Sequence, residues 1–339
     1  MNNEILALLL AGGEGTRLRP LTERYPKPAL PLAGRRIIDF ALSNLFNSGI
    51  DAIYVLAQYK PRPLIEHVES VWSPIIAGPK SFIRVRVPES TGNAFHGTAD
   101  AVYKCLDLLE RHRPAAVAVF AADHIYRMDV RQMAAFHASN GASVTVAALP
   151  VPLSAARAFG AITAAPDGRI ESFEEKPQSP PPMPQRPTHA FASMGIYLFE
   201  PQALVELVTG AHARGDTDFG RHILPGASKT HRVYAYDFTA NRVPGLLECE
   251  EGCYWRDVGT LDAYRAAQED LLAPRPRFRI DNALWPIHGG VSPAAPDIVP
   301  PIASAHRDHA SRARRAQSTM ERAAVPPEVG KEMAWPAGH

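Results

Sequence analysis

Residues 5–18 read ILALLLAGGEGTRL, and the character of the chain changes part-way through them. Ile5 to Leu10 is an unbroken apolar run, too short to cross a membrane and of the right length for a strand buried on both faces of a parallel sheet. It gives way to Gly12, Gly13 and Gly15, followed by Thr16 and Arg17. Glycines at the carboxyl end of a buried strand let backbone N–H groups approach phosphate oxygens where a Cβ would obstruct them. A guanidinium two residues on adds bidentate charge. The stretch reads as a triphosphate cradle, and a plain tight connection is the competing reading. Two other phosphate loops fit poorly. A P-loop needs a lysine directly after its second glycine, and the first lysine here is Lys27. A dinucleotide fingerprint would have Leu18 in place of its third glycine, and Asp51 opens the second apolar strand instead of ending it. Hydride transfer is disfavoured.

The whole chain narrows the class. With 339 residues, 46% of them hydrophobic, it can bury a large core and has room for two domains. A net charge of +1, with Lys and Arg spread along the chain, gives no electrostatic footprint for nucleic acid, so a small-molecule partner is expected. ILALLLA has the composition of a signal-peptide core, but Glu4 precedes it where a basic region belongs. No targeting signal and no membrane span are read. Cys105, Cys249 and Cys253 make an odd count that suits a reducing cytoplasm. The Cys249/Cys253 pair lacks the histidines or second pair of a zinc site, which leaves structural thiols.

Outward from the glycine loop, Lys27 stands between Pro26 and Pro28, whose fixed φ stiffens a loop that returns towards the glycines. A solvated surface lysine is the alternative. Apolar residues then recur at helical spacing from Ile37 to Phe46, with Gly49 as the stop, and residues 51–57 form the next strand. FIRVRV, residues 82–87, alternates as a strand with two outward arginines. Gly97 and Thr98 open an amphipathic helix with Ala101, Cys105 and Leu108 on one face and an Asp100–Lys104 pair. The apolar strand within residues 115–129 ends in Asp123, at the edge of a parallel sheet that borders a ligand crevice. A carboxylate there needs a metal or a cation, unless it caps the next helix. His124 is read as structural. A helix from Val130 to Ser139 and the strand SVTVAALP complete a doubly wound half. An alternating strand at 170–177 leads into Glu174, Glu175 and Lys176. A lysine on a phosphate and a carboxylate on hydroxyls would suit that pair, and a surface ion pair is the alternative.

Together, LAGGEGTRL, PKPALPLAG and RIIDFALSNLFNSGI closely resemble the glucose-1-phosphate adenylyltransferases within the sugar nucleotidyltransferases, with similarity from about residue 5 to about residue 301. The resemblance implies an α/β fold: a doubly wound, Rossmann-like (GT-A-like) catalytic domain with a mixed sheet over residues 1–274, then a proline-rich linker over 275–302. It implies ATP and glucose 1-phosphate as substrates, Mg²⁺ as cofactor and no nucleic-acid or membrane partner. Arg17, Lys27 and Asp123 become catalytic, and Gly12, Gly13, Gly15, Thr16, Phe95, Gly97 and Thr98 nucleotide-binding. Gly160, Glu175, Lys176 and Ser193 fall to the sugar phosphate, and Asp123 with Asp257 to the metal. The chain departs from the family at Ala94, where tryptophan is usual, at Ala122, where glycine is usual, and in a shortened loop before Phe95.

Family members continue into a left-handed β-helix of hexapeptide repeats. Residues 303–339 have no such period and are polar and poor in aliphatics, so a disordered tail is expected there, with weakened homo-oligomer contacts and effector response. Two rival functions stand beside the main one: a nucleotidyltransferase for another base or sugar, and a non-catalytic regulatory subunit of the same fold.

Overall fold

An apolar run with no polar face belongs in the middle of a sheet, and β1 (Ile5–Ala11) lies there. The computed structural model describes residues 5–290. After β1 come a short hairpin, β2 (Pro31–Leu32) and β3 (Arg35–Arg36), then β4 (Ala52–Ala57), β5 (Phe82–Arg86), β6 (Ala116–Ala121) and β7 (His124–Tyr126). They are followed by β8 (Val144–Pro152), β9 (Gly160–Ala164), β10 (Ile170–Glu175), β11 (His189–Phe199), β12 (Val233–Asp237) and β13 (Trp255–Asp257). Nine of these form one mixed sheet in the order β10-β9-β11-β6-β1-β4-β5, with β8 paired to β11 and to β12. Its centre is parallel, Leu8 lying opposite Tyr54 in β4 and Val119 in β6, and β11 joins antiparallel with Tyr197 opposite Val119.

Alternation along β1 divides the core in two. Leu6 and Leu8 pack with Leu56, Val119 and the helices Thr98–Tyr103 and Pro201–Ala213, whereas Ala7 and Leu9 pack with Val55, Phe120 and the helix Ile37–Asn47. Both faces of the sheet are covered, so the run needs no polar side. From β1 the chain moves to β4 and β5 on one side, then crosses to β6 on the other. The connections leave the carboxyl ends of β1 and β6 in opposite directions and open a crevice between them, where open α/β sheets bind ligands.

Two segments differ from the sequence expectation. The single helix expected after Gly97 is two, Thr98–Tyr103 and Asp107–His112, because Cys105 N–H and Leu106 N–H donate three residues back, to Val102 and Tyr103, and tighten the chain between them. Cys105 and Leu108 remain buried. Residues 275–290, expected as linker, lack regular structure yet pack against the body, with Phe278, Asn282, Trp285 and Ile287 all buried. The proline count misses this because burial here is carried by isolated aromatic and aliphatic anchors without periodicity. The remainder of the expected linker and the expected tail, residues 291–339, lie outside the described residues. No helix among the described residues is long and apolar enough to cross a membrane.

Trp285 is 3% exposed and donates from Nε1 to Asn44 Oδ1 at 3.4 Å. Trp285→Ala is expected to cost about 3–5 kcal/mol, the range for deleting a buried aromatic, read as a lowered urea midpoint. A loss under about 1 kcal/mol would return the segment to the status of a linker.

Candidate active site

The glycine loop leaves β1 through a left-handed turn at Gly15 (φ 63°). Thr22 Oγ1 donates to the Gly15 carbonyl at 2.9 Å, and a Cβ on Gly15 would sit 3.1 Å from Thr22 and 3.2 Å from the Lys27 Cβ. Glycine is required here both for conformation and for the close return of the Lys27 loop. A Cβ on Gly13 would meet nothing within 4 Å, and one on Gly12 only Gln58 at 3.9 Å. The backbone of these two glycines borders a crevice of about 620 Å³, whose walls include Thr16, Arg17, Lys27, Phe95, Thr98 and Asp123. Its apolar side is built from Leu10, Leu56 and Ala101.

The far wall is held by bonds to backbone. Gln58 clamps Phe95, donating to its carbonyl at 3.2 Å and accepting from its N–H. Asp100 is buried, accepts from His96 N–H at 2.8 Å and pairs with Lys104 at 2.8 Å, and Lys104 also donates to the Ala94 carbonyl. Gly97 is glycine because a Cβ would collide with the Thr217 carbonyl, which accepts the N–H groups of Ala99 (2.8 Å) and Asp100 (3.2 Å). The Thr98 hydroxyl is engaged by the same segment, donating to Asp218 at 3.1 Å and accepting from Phe219 N–H at 3.0 Å. The nearest groups to Gly97 and Thr98 are thus protein partners that shape the wall.

The charges gather where β1 and β6 end. Asp123 follows β6 in the turn before β7. Asp257 ends β13, which pairs antiparallel with β7 and sets Asp257 opposite His124. This three-residue ribbon brings the two aspartates together. Between them lies the Lys27 ammonium, 2.8 Å from Asp123 and 3.0 Å from Asp257, on a residue only 6% exposed. Burial works to lower the lysine pKa, but the two carboxylates outweigh it and hold it above 10.5. Burial likewise works to raise Asp123, and Lys27, then His124, overcome it and bring it from 3.8 down to about 2. Arg17 reaches the same corner: a Cβ on Gly259 would lie 3.1 Å from its Nη2 and 2.9 Å from Asp257 Oδ2. His124 Nε2 is 3.7 Å from Asp123 and 3.9 Å from Asp257, its ring edge-on to Trp255, with Nδ1 buried and unpartnered. Asp123, His124 and Asp257 each offer one ligand atom within 4.8 Å of the others, a donor set that fits a divalent cation; paired carboxylates suit a hard ion such as Mg²⁺.

The remaining sequence-derived residues form a row across the sheet. Glu175 pairs with Gly160 between β10 and β9, and Ala161 pairs with Ala192 between β9 and β11, so Ser193 and Gly160 come next in register. β11 then runs beside β6, with Gly195 against Ala121 and His124. Glu175 and Lys176 do not line the crevice over the glycine loop. They border a second cavity of about 500 Å³ with Phe173, Glu174, Arg221 and Pro225. Lys176 adopts φ 50° and pairs with Glu175 at 2.5 Å. Gly160 has a packing reason, since the Phe173 ring fills the space a Cβ would need. Ser193 is buried, its hydroxyl accepting from Gly195 N–H at 3.3 Å.

A family model described as nucleotidyl transferase matches residues 6–273. The glucose-1-phosphate adenylyltransferase of Thermodesulfovibrio yellowstonii is 48% identical over 289 residues, which covers 84% of this chain and 70% of that relative. That of Thermus thermophilus is 46% identical over 300 residues with the same coverage, and glucose-1-phosphate adenylyltransferase 1 of Vibrio parahaemolyticus is 44% identical over 296, covering 86% and 72%. The chain belongs to the glucose-1-phosphate adenylyltransferase family of nucleotidyl transferases.

Within this family fold, Gln58 and Thr217 hold the crevice wall without being announced by the sequence pattern, whereas Gly259 stands beside Asp257 in the stretch YWRDVGTLDAY before the last helix. Gln58 immediately follows β4, a central strand beside β1, and that strand-end position was the available signal. Thr217 carries no local signal, because it acts through its backbone carbonyl.

The depressed Asp123 pKa favours the folded state when the carboxyl is ionised. That contribution is complete above the unfolded value near pH 4 and is lost as pH falls through the folded value. The stability advantage of the wild type over Asp123→Asn is expected to shrink between about pH 4 and about pH 2, read from urea midpoints at each pH. A difference that stays constant over this window would detach Asp123 from the Lys27 ammonium.

Proposed function

We propose that this protein transfers the adenylyl group of ATP to glucose 1-phosphate, giving ADP-glucose and pyrophosphate, and so supplies glycogen- or starch-type glucan synthesis in the cytoplasm. The observation that carries the reading is the meeting of Asp123 and Asp257 beside the crevice over the glycine loop, with Lys27 and Arg17 at the same corner. The triphosphate runs along the backbone of Gly12, Gly13, Gly15 and Thr16. Arg17 and Lys27 offset its charge, and the adenine rests against Leu10, Leu56, Ala101 and Phe95 with its ribose near Gly97 and Thr98. Asp123 and Asp257 would hold Mg²⁺, which when bound neutralises phosphate charge.

Glucose 1-phosphate lies along the row Ser193, Gly160, Glu175, with Glu175 on sugar hydroxyls and Lys176 on the phosphate. Its phosphate oxygen attacks the α-phosphorus in line. The bond to the bridging oxygen breaks, and pyrophosphate leaves with the electron pair. A phosphate monoester is already an oxyanion near neutral pH, so no protein base is needed, and the chain's task is positioning and charge neutralisation. The Glu175–Lys176 pair must loosen for the lysine to reach its phosphate. Lys176 is exposed enough for that exchange to be cheap.

The test is pyrophosphate release by the purified protein over a panel of nucleoside triphosphates and sugar 1-phosphates. ATP with glucose 1-phosphate is expected to give the highest kcat/KM. Preference for another pair reassigns the substrate, and no release from any pair overturns the catalytic reading. Lys176→Ala is expected to raise the KM for glucose 1-phosphate about 10- to 150-fold, the equivalent of a charged hydrogen bond of roughly 1.5–3 kcal/mol, with the KM for ATP little changed. A rise confined to ATP would move the lysine to the other substrate.

A further inference from the structure

We infer that Lys27 is a displaceable counter-ion: in the nucleotide-free protein its ammonium competes with divalent cations for the carboxylates of Asp123 and Asp257, and a bound triphosphate draws it away. The inference rests on the reading of those two aspartates as metal ligands.

The backbone of Lys27 is fixed. It opens a short 3₁₀ turn, Lys27–Ala29, flanked by Pro26 and Pro28, and packs against Gly15. The side chain is the part free to move, and Lys27 and Asp123 both line the crevice over the glycine loop, the space into which it would swing. Two of the three ammonium donors are spent on the carboxylates, at 2.8 and 3.0 Å. With the lysine there, both carboxylates share one bound ammonium, and the Arg17 guanidinium adds a second positive charge at the corner. Adding a divalent cation to the same oxygens sets an ammonium and a dication within a few ångströms of each other, where like charges repel. The nucleotide-free site is therefore poor at holding metal. A triphosphate over the glycine loop offers the ammonium new oxygens at little cost in charge. The lysine exchanges partners, and both carboxylates become available. Nucleotide then strengthens metal binding and, by reciprocity, metal strengthens nucleotide binding.

The experiment is binding of Mn²⁺ in the absence of nucleotide, followed by the electron paramagnetic resonance signal of the free ion, for the wild type and for Lys27→Met, which keeps the stem and removes the charge. Lys27→Met is expected to bind Mn²⁺ on the order of tenfold tighter or more, since a like charge has been removed from the site. Asp257→Asn placed in the same variant should abolish the gain. Melting gives a second readout: Lys27→Met, with its carboxylates uncompensated, should melt lower than wild type and recover with Mn²⁺, whereas the wild type should respond weakly. If Lys27→Met does not fold, Lys27→Gln is measured by the same criteria. Equal or weaker nucleotide-free Mn²⁺ binding by the variant, with Mn²⁺ and ATP binding together in the wild type, overturns the inference and leaves the proposed function standing. No Mn²⁺ binding to either protein, with or without ATP, overturns the metal reading and this inference with it.

Discussion

The ammonium of a lysine only 6% exposed cannot remain charged without partners, and that of Lys27 has two. Meeting that requirement constrains a large part of the molecule. The Lys27 loop must double back onto the glycine turn, which makes Gly15 obligatory. One carboxylate must arrive from the end of β6, beside β1. The other must come from a position 230 residues from the lysine, delivered by β13. Losing either aspartate would leave the Lys27 ammonium one partner fewer, and a buried ion that loses a partner bears its desolvation with less compensation.

What was legible in the sequence is what acts locally. The apolar run of β1, its glycine exit, Asp123 at the end of the next central strand and the helix Val130–Ser139 each carry a pattern within one window of residues, and each is found where it was read. Asp257 was named only through resemblance. β7 and β13 are three residues long and show no periodicity, and their pairing is a tertiary fact. The same limit hid Gln58, whose amide acts on the backbone of Phe95, and the break after Tyr103, where i→i−3 bonds override a helical pattern.

Register explains why residues scattered from 160 to 195 belong together. β9, β10 and β11 place Glu175, Gly160 and Ser193 on neighbouring strands, and β11 continues the row to β6 and Asp123. A one-residue slip in any of these pairings would turn the side chains to the opposite face of the sheet. Phe173 helps hold the register, because its ring seats over Gly160 and any side chain at that position would dislodge it.

The irregular segment at 275–290 takes part in the same construction. Gly289 (φ 94°) lies so close to Asp39 that no Cβ would fit, and Asp39, fully buried, accepts from Arg36 N–H, His67 and Trp72 at 2.6–2.7 Å. His288 N–H donates to Ser43 at 2.8 Å, Asn47 donates to the Pro286 carbonyl at 2.9 Å, and Trp285 reaches Asn44. Asn44 in turn donates to the Tyr126 carbonyl at 2.9 Å and accepts from Met128 N–H at 3.0 Å, which fixes β7 to the helix Ile37–Asn47. Arg127, next along, forms a buried ion pair with Glu250 at 2.8 Å and stacks on Phe278 at 4.2 Å. β7 is the only strand among the described residues that β13 pairs with, so the position of Asp257 depends on how firmly β7 is held. The segment after the last helix thus braces the strand that aligns Asp257 with Lys27. That contact network gives a physical reason for its aromatic anchors, which its proline content alone would not suggest.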